Sequence, residues 1–290
     1  MSQFLQIFLS GMTVGAVYAM VAIGYTLIYA ASDVVNFAQG EFVMLGGMLT
    51  WFMLGHGLSL FVAAALAVVV TVAIGVLLQK LAIEQAREAS VVALIVITLG
   101  ASNFLRGAAG LAFDKDTHSI PEFSGNEPID VWGATVLPQS LWVLGVTCVM
   151  FVALWIFLNR TLIGKAMRAV ATNRSASQLV GIDVKFILLL AFGISAALGA
   201  IGGILVAPIT LTRYNLGAAL ALKGFAAAIL GGLGNPLGAV VGGLALGVLE
   251  AIAAGYVSSA YKDGAAFFVL IAALLFMPSG LLGAKSVERV

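Results

Sequence analysis

The residues best placed to do chemistry lie where the chain should have none. Asp33-Val34-Val35-Asn36-Phe37-Ala38-Gln39-Gly40-Glu41 joins two long uncharged runs with almost no room for a loop. If this stretch is helical, Asn36, Gln39 and Gly40 fall on one face by their i, i+3, i+4 spacing. Polar groups at membrane depth are costly unless they meet a cavity or a partner. One reading is a broken helix that lines a solute path, with Asn36, Gln39, Gly40 and Glu41 recognising a polar cargo. The other is a short cytoplasmic turn in which Asn36 caps the next helix. Asn103, Arg106, Lys223 and Glu250 are the remaining polar residues within apolar stretches. Of these, Asn103 and Lys223 are path candidates, Arg106 can snorkel to the interface, and Glu250 is expected close enough to the exterior to be wet.

Covalent and metal chemistry find no foothold. His56 and His118 fall in separate exterior turns, without a triad or ligand pattern around them, and are expected to be solvated. Cys148 is the sole cysteine, so no disulfide framework or cysteine metal site exists. Gly164-Lys165 resembles the end of a phosphate-binding loop. However, Ala166 follows it and Asn159 stands where the first glycine belongs, so the chain carries no nucleotide loop. No cofactor is expected, and nothing reads as an enzyme.

The elements that must position these residues follow from composition. Of 290 residues, 62% are hydrophobic and 9% charged, with a mean hydropathy of +1.12. Soluble domains carry roughly 25% charged residues, so the chain is an all-α, polytopic membrane protein. The net charge of +1 points to no nucleic-acid partner. The N-terminal run lacks a basic leader and is long for a signal peptide, so it is expected to be retained. Uncharged runs span 4–32, 42–79, 89–105, 141–158, 186–212, 224–249 and 264–284. Gly55-His56-Gly57 divides the second run. Gly231-Gly232-Leu233-Gly234-Asn235-Pro236 divides the sixth, leaving segments near 217–232 and 236–256. The sum is eight or nine transmembrane helices with broken segments, in a single domain covering 1–290.

Basic residues orient the bundle. Arg160, Lys165, Arg168, Arg174 and Lys185 mark 160–185 as cytoplasmic. Alternation then puts Lys80, Arg87, Lys285 and Arg289 inside as well, against Arg106, Lys115, Arg213 and Lys262 outside. The acidic loop at about 111–137 falls outside, and the C-terminus inside. Within the cytoplasmic segment (about 160–183), Met167, Val170, Ala171 and Leu179 can form an apolar stripe beside Arg168, Arg174 and Gln178. Gly181 is placed to end a helix in the left-handed conformation. The segment is either a docking element for a cytoplasmic partner or an interfacial helix held by anionic lipid. Glycines recur at three- and four-residue spacings (Gly11, Gly15; Gly199, Gly202, Gly203; Gly238, Gly242, Gly243, Gly247), a signature of close helix packing. Residues 4–30 followed by 36–47 loosely parallel 186–208 followed by 217–232. If they are inverted repeats, 36–47 and 217–232 face each other.

The stretch from Gly11 through Gly15, Tyr18 and Gly24 to Tyr29, running into Val35-Asn36-Phe37-Ala38-Gln39-Gly40-Glu41, resembles the opening of the branched-chain amino acid ABC permease family. That family reads V-I-N-F-A-H-G-E, and here a valine replaces the isoleucine and Gln39 the histidine. Leu222-Lys223 through Gly231-Gly232-Leu233-Gly234-Asn235-Pro236 and Gly238, then Gly242 to Gly247, is similar to its second signature. Arg168-Ala169 through Gly181-Ile182 resembles its cytoplasmic loop, with Arg168-Ala169-Val170 where E-A-A is usual. The resemblance implies the permease subunit of an inner-membrane importer. Its partners would be a homologous second permease, two cytoplasmic ATP-binding subunits and an external solute-binding protein. Arg168, Ala169, Arg174, Gln178 and Gly181 would then belong to the segment that an ATPase grips. Relatives of this kind carry branched-chain amino acids, urea, short amides or aromatic acids. A stand-alone ion-coupled carrier or a channel is the competing reading. The few ionisable residues in the apolar runs count against a carrier.

Overall fold

The computed structural model describes residues 2–86, 89–131, 133–259, 262–277 and 279–283. Arg87, Lys285 and Arg289, three of the cations used for orientation, lie outside the described residues. The helices in chain order are α1 (Ser2–Ser32), α2 (Gln39–Gly55), α3 (Leu60–Leu78), α4 (Val91–Ala112), α5 (Pro138–Arg160), α6 (Leu162–Thr172), α7 (Arg174–Leu179), α8 (Val184–Thr210), α9 (Leu216–Gly231), α10 (Pro236–Tyr256) and α11 (Lys262–Phe276). Six of them, among the described residues, are long and apolar enough to cross a membrane: α1, α3 with its extension to Ile83, α4, α5, α8 and α10. Three more apolar helices are shorter: α2, α9 and α11. The chain is therefore mostly helical, as its composition requires. One departure is a two-stranded hairpin in the loop between α4 and α5, β1 (Ile129–Val131) and β2 (Ala134–Val136), beyond the apolar runs.

The sequence breaks fall where expected. Gly57 (φ 84°) separates α2 from α3, and Gly232 (φ 106°) and Gly234 (φ 95°) separate α9 from α10. Asn235 caps α10 by accepting from the Leu237 and Gly238 amides, with Pro236 at its first position.

Helices α1 and α8 form the buried centre and run antiparallel. Near the start of α1, the Gln6 side chain bonds the Thr135 backbone of this hairpin. Just beyond the end of α8, Thr212 pairs with His118 of the same loop. The two halves repeat a pattern: α3 packs on α8 as α10 packs on α1. The α1–α10 seam is built on glycine. A Cβ at Gly15 would meet the backbone of Gly243 and Leu244, and one at Gly243 the backbone of Ala19. Small residues at such contacts let backbones approach, which drives helix association in lipid.

Contrary to the expectation from sequence, the loop between α4 and α5 does not leave His118 solvated. His118 stacks on Trp51 with ring centroids 3.4 Å apart and bonds Asp114 at 2.9 Å. The Asp116 amide and then the His118 ring hold the Asp114 carboxyl below the usual carboxylate range. His56 is exposed.

Candidate functional site

Helix α1 ends at Ser32, and Asp33 turns the chain with a positive φ of 58°. Residues 34–38 then climb back beside α1, so that α2 starts inside the bundle. Gln39, its first residue, packs against Gly24, eight residues before the end of α1. The link at 34–38 is thus buried or half-buried and is not a solvent-facing turn. Asn36 precedes α2, so it shares no helical face with Gln39 and Gly40. Its side-chain oxygen accepts from the Ala38 amide at 3.1 Å, while its Nδ2 is buried without a partner. The N-cap is Ala38, with no side-chain cap.

Each polar residue of the first turn of α2 is fully buried. Gln39 reaches α8, where its amide donates to the Ser195 carbonyl at 3.1 Å and its oxygen accepts from the Ser195 hydroxyl at 2.5 Å. Gly24 makes room, since a Cβ there would collide with the Gln39 amide. Gly40 lies against Gly217 and Ala221 of α9. Residues 36–47 and 217–232 therefore meet directly, as inverted repeats require.

Glu41 anchors α2 to α4. Its Oε1 accepts from Arg106 at 2.6 Å and from the Ser102 hydroxyl at 2.8 Å. Its Oε2 has no hydrogen-bond partner and lies against Gly217, in the first turn of α9. Neither α2 nor α9 has a side-chain N-cap, so two helix N-termini converge on this carboxylate. A helix N-terminus carries about half a positive charge. Together with Arg106, these ends surround the Glu41 side chain with positive charge.

A second buried pair lies between α9, α10 and α1. Glu250, 1% exposed, accepts from Lys223 at 2.6 Å and from the Tyr18 hydroxyl at 2.7 Å, with Lys262 at 3.5 Å. Glu250 is therefore not wet, and Lys223 points into this pair instead of an open path. Arg106 does not snorkel but turns inward to Glu41. Asn103 is exposed on the outer face of α4, apart from the other path candidates. Sequence reasoning chose it and missed Ser102, one residue away. A step of one residue turns the side chain about 100° around a helix, and Ser102 and Arg106 share a face by their i, i+4 spacing. Ser195 gave no signal, being one hydroxyl in an apolar run.

The segment after α5 forms two short helices, α6 and α7. Thr161 caps α6 by accepting from the Gly164 amide, and Asn173 caps α7 by accepting from the Ala176 amide. Met167 and Val170 are buried, but Ala171 and Leu179 are exposed. The extended Asn173 (φ −157°) separates Leu179 from the α6 stripe, whereas Ala171 lies within α6 and is exposed beside it. Gly181 (φ 87°) ends α7 as expected. Its amide donates to Gln178 and that of Ile182 to Ser177, which closes the helix end. Arg168, Arg174, Gln178 and Gly181 are exposed and Ala169 is half-buried; Arg168 bonds Asn159 at 2.9 Å.

Half-helices that start inside an apolar bundle, with paired charges at their ends, define a membrane transport protein. No cluster of metal-ligating side chains occurs among the described residues. The chain belongs to the branched-chain amino acid transport system, permease component family, whose description matches residues 7–274. It is a permease component and not an enzyme.

It is 34% identical to the high-affinity branched-chain amino acid transport system permease protein BraD of Pseudomonas aeruginosa, covering 99% of this chain and 98% of that one. The corresponding LivH of Escherichia coli K12 is 33% identical over the same shares. The ribose import permease protein RbsC of Escherichia coli K12 is 26% identical, covering 81% and 74%. Among solved structures, a chain of PsaBC from Streptococcus pneumoniae in complex with Fab matches with a TM-score of 0.51 at 14% identity, covering 96% and 93%. That likeness concerns the fold alone.

Proposed function

We propose that this chain is the translocation-path subunit of an ABC importer. It passes branched-chain amino acids, or related small amino acids, amides or carboxylic acids, inward across a bacterial-type inner membrane. The observation that carries this reading is the full-length match to branched-chain amino acid permeases. ATPases on separate chains supply the energy, since the sequence has no nucleotide loop of its own.

In this reading the single domain spans 1–290 and crosses the membrane nine times, counting α2, α9 and α11 with the six longer helices. The loop at about 111–137 is external, and the C-terminus is cytoplasmic. The segment at about 160–183 is cytoplasmic and couples to an ATPase through Arg168, Ala169, Arg174, Gln178 and Gly181. A homologous second permease completes the path, and an external binding protein delivers the solute. Asn36, Gln39, Gly40 and Glu41 line the path when α2 moves from α9. Lys223 has its ammonium committed to Glu250 and acts by holding α9 to α10. Asn103, which faces outward, reaches the path only across a contact with the second permease.

Reconstitution tests this. Vesicles holding the chain alone should take up no labelled leucine, whereas vesicles with both ATPases, the second permease and binding protein should take it up on ATP addition. Uptake by the chain alone would overturn the reading in favour of a carrier or channel. Arg168→Glu and Arg174→Glu together should abolish co-purification of the ATPases and leave the thermal midpoint of the permease unchanged.

A further inference from the structure

Helix α3 ends in a π turn, Gln79–Ile83, closed by the Glu84 amide donating to the Gln79 carbonyl at 2.8 Å. Such turns in otherwise regular helices are common at functional sites. Here the turn holds the Gln79 side chain fully buried with neither its oxygen nor its nitrogen hydrogen-bonded. A buried amide without partners loses the full desolvation cost of both groups, so the position calls for an occupant that supplies them.

Gln79 lines a cavity of about 160 Å³ between this turn, α7 and the start of α8. Its floor is Gln79 with the buried apolar side chains of Leu94 and Leu188, and its mouth carries Glu84, Arg174 and Lys185. Lys185 pairs with Glu84 at 3.2 Å, leaving Arg174 with no ion-pair partner among the described residues. Among the described residues, two cations thus face one carboxylate at the mouth, above an amide and an apolar wall. A cavity of about 150 Å³ holds a six-carbon ring, so this one admits a small organic molecule with its charged end in the mouth.

We propose that this cavity binds a small zwitterionic amino acid with an aliphatic side chain. The carboxylate meets Arg174 and Lys185. The ammonium donates to Glu84, and the side chain lies on Leu94 and Leu188. The Gln79 amide, closed off from the cavity in this structure, turns toward the ammonium on binding. The inference rests on the reading of this chain as an amino-acid permease and adds to it a site at the end of the bundle that carries α6 and α7. Since Arg174 and Gln178 of the coupling segment form one wall, an occupied cavity ties α7 to α3 and α8. Accumulated solute would then restrain the segment that the ATPase grips.

The test is titration of tritiated leucine onto the purified complex of this chain with its second permease and ATPases, with binding protein omitted. Saturable binding is expected, with Gln79→Leu and Lys185→Met each raising the apparent Kd at least tenfold. Lys185 is exposed, so its variant keeps the test valid where Gln79→Leu disturbs folding. Leucinol, which lacks the carboxylate, and 4-methylpentanoate, which lacks the ammonium, should displace leucine at least tenfold less well than valine does. No binding, or binding that neither substitution weakens, overturns the site, and equal displacement by all three overturns the zwitterion assignment. ATP-driven uptake with binding protein, measured on the same preparation, separates the two readings. Uptake without this binding refutes only the cavity. Gln79-dependent binding without uptake refutes the importer.

Discussion

The two junctions that follow the buried helices, α1 to α2 and α8 to α9, have one architecture and two chemistries. In each, a long buried helix ends on a residue with positive φ, Asp33 (58°) or Leu211 (64°). A link of four or five residues follows, then a short helix that starts inside the bundle. The first junction fills that start with Asn36, Gln39 and Glu41. The second has Leu216, Gly217, Ala218 and Ala219 at the same place. The small residues of α9 are what make the polar residues of α2 possible, since Gly217 gives Glu41 and Gly40 their space. One half supplies groups, the other supplies room. Repetition of backbone therefore does not imply repetition of side-chain chemistry.

Breaking the charged side of this comparison should have the largest effect. Arg106→Leu leaves Glu41, which is 0% exposed, as an uncompensated buried charge, and should cost about 3–5 kcal/mol. Glu41→Gln should cost less, because Arg106 is 27% exposed and can draw on water. The double variant Glu41→Gln, Arg106→Leu should recover most of the loss. Thermal midpoints of the four proteins in detergent check this, and equal losses for the two single variants would refute the asymmetry.

Filling the empty side comes next. Gly217→Leu drives a side chain into Gly40 and Glu41 and should cost about 1–3 kcal/mol from overpacking. Gly100→Leu, on the open face of α4, should cost far less, since nothing lies within 4 Å of a Cβ there. Comparable midpoints for these two variants would mean that the α2–α9 contact is not close-packed.

The smallest effect should distinguish the two turns. Leu211 combines φ 64° with ψ 166°, a region that only glycine occupies readily, at a cost of order 1–3 kcal/mol. Leu211→Gly should therefore raise the midpoint by the equivalent of about 1 kcal/mol. Asp33→Gly should change it less, because aspartate tolerates positive φ. A fall on Leu211→Gly would show that the leucine side chain contributes more than the strain removes.

Much of this was legible in the sequence. Composition dictated helices, because a chain with 9% charge cannot cover itself with water and must satisfy its backbone internally in lipid. Glycine and proline fixed the breaks at Gly57 and at Gly231 to Pro236, and Gly181 fixed the end of α7, through conformations that few other residues adopt. The stretch from Asn36 to Glu41 declared itself by polarity where none was affordable. Only the tertiary structure decided what those residues touch. Nothing in the sequence assigns Glu41 to Arg106, 65 residues away, or Lys223 to Glu250, 27 residues on. Pairing across helices depends on the rotation and depth of each, and one step along a helix turns a side chain by about 100°. The same freedom moved Asn103 outside and Ser102 inside. Periodicity specifies that a helix has faces, and packing against its neighbours decides which face is in.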